Sequence, residues 1–170
     1  MDNYTNMIAD SEREMNRLHA ALWASVAHRD KSPNHYEKWT QAAALFRNFH
    51  APIDELVQRC LRCGLEHDPD LRCFAFCYIE HDPYFFRSGY ILESLLQKVK
   101  KITLSDAEKD IIRRTILRRV ETRALRNFRH LCRFIPRIQD AQFCYELRSR
   151  AKSTDPNLRR RAEFALSYLL

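Results

Sequence analysis

The chain has 170 residues and a formal charge of +7, from 29 basic and 22 acidic side chains. Its only two glycines, Gly64 and Gly89, exclude Gly-rich phosphate loops and dinucleotide fingerprints. Four valines and six threonines against nineteen leucines and sixteen alanines exclude a fold built on sheets.

A chain of this length buries one core without disulfides or metal, so a single all-α domain over 1–170 is expected. The start, Met1-Asp2-Asn3-Tyr4, lacks the basic and apolar regions of a signal peptide, and arginines interrupt every apolar run before eighteen residues. These features predict a cytoplasmic protein that does not enter a membrane. In that setting the six cysteines are expected as thiols or metal ligands.

Eight or nine helices are predicted, at 4–28, 35–49, 53–64, 69–80, 83–101, 106–122, 124–135, 139–151 and 156–169. Apolar residues recur at helical spacing through Met15, Leu18, Leu22 and Val26, and again through Ile112, Ile116 and Val120. Trp23 and Trp39 fall in the first two helices and are expected in the core. Four steps place a capping oxygen ahead of a first-turn proline: Ser32-Pro33, Asp68-Pro69, Asp82-Pro83 and Asp155-Pro156. Ser105 and Glu108 have the spacing of a capping box, and Pro52 and Pro136 mark further breaks. The short connections predict antiparallel neighbours.

Two echoes run through the chain. Leu65-Glu66-His67-Asp68-Pro69 returns as Ile79-Glu80-His81-Asp82-Pro83. Asp68-Pro69-Asp70-Leu71-Arg72, with Ala75 and Ile79, returns as Asp155-Pro156-Asn157-Leu158-Arg159, with Ala162 and Leu166. Ile112, Ile116 and Val120 repeat the offsets between them, and the anchors Leu71, Ile112 and Leu158 lie 41 and 46 residues apart. The phrase Asp-Pro-x-Leu-Arg-x-x-Ala-x-x-x-(Ile/Leu) resembles the second helix of a HEAT repeat, over roughly residues 53–170. The resemblance implies stacked helical hairpins in which the aspartate caps and the apolar positions face neighbouring helices. The middle copy lacks the Asp-Pro start, and residues 4–49 carry no copy. A HEAT-like short solenoid and an irregular helical bundle both satisfy these stripes.

Charge divides the chain unevenly, from acidic helices over 1–50 to a part, 51–170, that grows basic toward its C-terminus. Residues 1–96 carry ten basic and fourteen acidic side chains, a net of −4, whereas 97–170 carry nineteen and eight, a net of +11. Arg119, Arg123, Arg126, His130, Arg133 and Arg137 follow steps of four and three, which on one continuous helix makes a cationic stripe. Arg113, Arg114 and Arg118 widen it, and Arg159, Arg160 and Arg161 form a second cluster. Guanidinium forks match phosphate and carboxylate. The stripe therefore predicts a non-catalytic module binding an anionic macromolecule, most readily RNA or DNA. Tyr84, Phe85, Phe86 and Tyr90 could offer stacking platforms for single strands, but their spacing fits the core better. An adaptor docking an acidic protein, within a larger complex, uses the same face. A third reading pairs the arginines with acids of the first half, and head-to-tail self-association is also allowed.

Chemistry has weaker candidates. Cys60, Cys63, Cys73 and Cys77 pair at helical spacings and could aim four thiolates at a structural zinc, with His67 and His81 as substitutes. The same cysteines suit a core as small apolar residues, as do Cys132 and Cys144. His67-Asp68 and His81-Asp82 resemble the metal-binding step of helical HD phosphohydrolases, the one enzymatic alternative, although each aspartate is also placed to cap a helix. No catalytic residue and no cofactor beyond that zinc are expected.

Overall fold

A computed structural model describes residues 2–123 and 127–169. Among the described residues the chain is all-helical, without a strand. These residues form ten helices, α1 (Asp2–Val26), α2 (Pro33–Asn48), α3 (Asp54–Arg62), α4 (Pro69–His81), α5 (Ser88–Val99), α6 (Asp106–Thr122), α7 (Phe128–Cys132), α8 (Ile135–Ile138), α9 (Ala141–Arg150) and α10 (Pro156–Leu166).

Four starts follow the capping chemistry written in the sequence. Ser32 accepts from the backbone N–H of His35, and Asp68 accepts from those of Asp70 and Leu71. Ser105 and Glu108 form both bonds of the capping box, and Asp155 caps α10. Each cap satisfies N–H groups that have no partner inside the helix.

Three expectations need correction. Asp82 does not cap a following helix. It ends α4 in the left-handed region at φ 53°, and its carboxylate is held by Arg119, so 83–87 stay non-helical and α5 starts at Ser88. The helix expected over 124–135 begins, within the described residues, only at Phe128, and Pro136 sits in the first turn of a separate α8. Trp23 is 62% exposed, with its indole N–H donating to His19 Nε2 at 2.7 Å, and Val26 is exposed beyond it. Trp39 is half-buried.

The helices form two rows. In one, α1 packs on α4, α4 on α6 and α6 on α10, with α2 outside α1; in the other, α3 packs on α5 and α5 on α7. The hairpin α3–α4 and the contact of α6 with α7 join the rows, α9 pairs with α10, and α8 and α9 also lean on α6. Central α4 buries Leu71 and every residue from Phe74 to Ile79, as a helix apolar around its circumference must. The repeat anchors Leu71, Ile112 and Leu158 fall on α4, α6 and α10, three successive helices of one row.

Candidate functional site

The site begins at the C-terminal end of α4. Left-handed residues other than glycine are strained, and two of them, Asp82 at φ 53° and Arg87 at φ 73°, bracket the segment carrying Tyr84, Phe85 and Phe86. The segment is held from outside by α1: Glu12 Oε1 accepts from the Tyr84 N–H at 2.8 Å, and Asn16 Nδ2 donates to the Tyr84 carbonyl at 2.9 Å. From inside it is held by a buried network. Arg119, 1% exposed, donates from Nε to Asp82 Oδ2 at 2.8 Å, from a second nitrogen to Asp82 Oδ1, and from Nη1 to Asn127 Oδ1 at 2.5 Å. Asn127 Nδ2 passes the chain on to the Gly89 carbonyl at 3.3 Å. Burial, with Asp82 nearby, pushes the Tyr78 hydroxyl pKa well up, so it stays protonated and donates to the Ser88 carbonyl at 3.3 Å.

On this support opens a cavity of about 240 Å³, lined by Tyr84, Phe85, Arg87, Ser88, Gly89, Tyr90, Glu93 and Asn127. Phe85 is buried, but Tyr84 is 56% and Tyr90 66% exposed, so neither of these two rings serves the core. The Arg123 guanidinium lies over the Tyr84 ring at 4.7 Å, a cation–π arrangement.

Glu93 links the cavity to a group of cations, since its Oε1 lies 3.3 Å from His130 Nε2. His130 is buried, with no partner for Nδ1 among the described residues. Burial lowers its pKa, and Arg133, Arg129 and Lys100 push the same way against Glu93. Arg129 and Arg133 are exposed and have no carboxylate partner among the described residues.

The cationic stripe is corrected by this geometry. α6 stops at Thr122 and Arg123 is extended, so Arg119 to Arg137 never share one helix. Arg119 and His130 are buried and unavailable to a macromolecule. Arg114 pairs with Glu80, and Arg118 donates to the Glu80 carbonyl. Arg123 donates to the Asp82 carbonyl at 2.9 Å. Arg113 reaches the Ile138 carbonyl, and Arg137 those of Lys100 and Ile102. Arg161 reaches those of Val120 and Glu121. Arg133, Arg159 and Arg160 remain exposed, and Arg126 lies outside the described residues. Sequence spacing did not point to Arg129, Lys100, Arg87, Glu93 or Asn127. The Arg87-Ser88-Gly89 step, a turn signal inside a predicted helix, was the available clue.

The Cys73 and Cys77 thiols are in contact, but the four do not converge. Cys60 is buried with its thiol toward the Leu71 carbonyl at 3.6 Å, while Cys63 lies exposed beyond the end of α3. Burial raises the thiol pKa of Cys60 and of Cys77 to about 11, which holds both as neutral core groups. Among the described residues no three His, Cys, Asp or Glu side chains converge as a metal site. The HD-like pairs are separated in the same way. Asp68 caps α4, His67 is exposed, His81 faces Glu12 at 3.1 Å, and Asp82 holds Arg119.

No helix among the described residues is long and apolar enough to cross a membrane. The chain matches no protein-family model, no curated protein and no solved structure.

Proposed function

We propose that this protein is a non-catalytic cytoplasmic binding module for single-stranded nucleic acid, built on a HEAT-like stack of helical hairpins. One observation carries the reading: two tyrosines left exposed by the core stand at a cavity whose Glu93 faces His130, the residue on which Lys100, Arg129 and Arg133 act electrostatically. Rings stack on bases of any identity, and cations alongside them track the phosphates. The placement of Leu71, Ile112 and Leu158 in one row supports the repeat reading.

The test is fluorescence anisotropy with labelled single- and double-stranded oligonucleotides over about 50 to 300 mM salt. Single strands are expected to bind more tightly, with affinity falling steeply with salt. Joint reversal of Arg129 and Arg133 to glutamate should weaken binding while leaving the melting temperature near that of the parent. Flat anisotropy at the lowest salt overturns the proposal and assigns these cations to an acidic protein partner.

A further inference from the structure

Resting on the single-strand reading, we infer that the cavity between Tyr84 and Tyr90 receives one unstacked base, and that Glu93 selects bases bearing an exocyclic amine over uracil or thymine. The cavity's volume of about 240 Å³ lies below the usual range for drug-sized ligands, which suits a single planar ring system. One face of Tyr84 is covered by Arg123, so the ring is held in place while an edge and its other face stay available. Its backbone is fixed by Glu12 and Asn16, which makes the platform ready before any ligand arrives.

The selection argument comes from which polar groups are already committed. Asn127 is engaged at both ends of its amide, by Arg119 and by the Gly89 carbonyl, so it serves as wall. Ser88 Oγ accepts from the Phe85 N–H at 3.1 Å. Arg87 is exposed and lies against the Phe86 ring at 5.2 Å, which leaves its N–H groups open; on the exposed rim they serve a phosphate as readily as a base carbonyl. Glu93 is different: one carboxylate oxygen faces His130, and the other has no partner among the described residues. A carboxylate only accepts hydrogen bonds. Adenine, cytosine and guanine each present an amino group that can donate to it. Uracil and thymine offer a carboxylate only the N3–H, which is flanked on both sides by carbonyl oxygens that repel it, whereas an amino group donates from the rim of the base with at most one neighbouring acceptor. Phosphates flanking the seated base would then meet the Lys100, Arg129 and Arg133 group.

The experiment compares a short labelled oligouridylate with the same strand carrying a single central cytosine, adenine or guanine, at about 50 mM salt. The substituted strands should bind about tenfold tighter, the order of one hydrogen bond to a charged group. The Glu93→Gln protein, whose amide can serve either kind of edge, should bring all four strands within about twofold. Tyr90→Ala should weaken all strands together, by about tenfold for one lost stacking partner. Equal, salt-dependent binding of the four strands by the parent protein overturns the base-selective cavity and leaves the nucleic-acid reading standing. A preference that survives in Glu93→Gln overturns the role of Glu93. Absence of binding by any strand overturns this inference together with the function it rests on.

Discussion

Arg119 and Arg133 are the same residue type fourteen positions apart, and their surroundings give them opposite roles. Arg119 has its guanidinium divided between Asp82 and Asn127 in the interior, whereas Arg133 stands exposed. Removing one partner of a buried ion pair strands the other, at a cost of about 3–5 kcal/mol. Arg119→Met should therefore lower the urea midpoint severely, and Asp82→Asn in the same chain should restore part of it, because the remaining group is then neutral. Arg133→Met should leave the midpoint unchanged. His130 supplies a second prediction at this scale. Its folded pKa lies below the ordinary 6.5, chiefly through burial, so on acidification the unfolded chain takes up the proton first. Stability should fall as pH drops below that ordinary value, and His130→Phe should flatten this part of a melting-temperature profile. The sequence displayed these charges, but not which were buried. The acids that hold Arg114 and Arg119 lie 34 and 37 residues away, at the end of α4, which spacing within α6 could not place opposite them.

Helix ends were legible wherever the capping partner is local. Asp68-Pro69, Asp155-Pro156 and the Ser105 box depend on atoms within three residues, and each formed as written. Asp82-Pro83 has the same letters and the opposite outcome, because a distant guanidinium takes the oxygens that would have capped. Asp68→Ala should thus cost about 1 kcal/mol as a lost cap. Arg72 joins α4 to the start of α6, with Nε donating to Glu108 Oε1 at 2.5 Å and Nη2 to the Thr103 carbonyl at 2.7 Å. Although burial raises it, the bonds from Arg72 and from Ser105 outweigh burial and hold the Glu108 carboxyl below its ordinary 4.5. A lowered carboxyl pKa contributes stability above the unfolded value and loses it as pH falls through the folded one. Glu108→Gln should therefore remove a part of the acid sensitivity of melting that begins below about pH 4.5, and do so without changing the fold by circular dichroism.

Across the whole molecule the arginine excess holds one helix to the next. Arg118 and Arg123 of the α6 region bind carbonyls at the end of α4, and Arg137 binds those at the end of α5. Arg113 binds the end of α8, and Arg161 the end of α6. Helix C-termini carry unpaired carbonyls and partial negative charge, so a planar cation with several donors fits each junction. The net charge of the second half therefore overstates what is available to a ligand. Two groups of arginine substitutions should separate cleanly. Arg113→Lys, Arg137→Lys and Arg161→Lys keep the charge but lose the fork, so they should lower the melting temperature additively and leave the salt dependence of oligonucleotide binding as it was. Arg129→Gln with Arg133→Gln should do the reverse. Every single-strand phosphate that the protein ceases to neutralise reduces the slope of log affinity against log salt by about 0.7, so the pair should lower it by about 1.4 with little change in melting. If the lysine variants changed that slope as much as the glutamine pair, the division between joining and binding arginines would be wrong, and the whole basic half would act as one electrostatic surface.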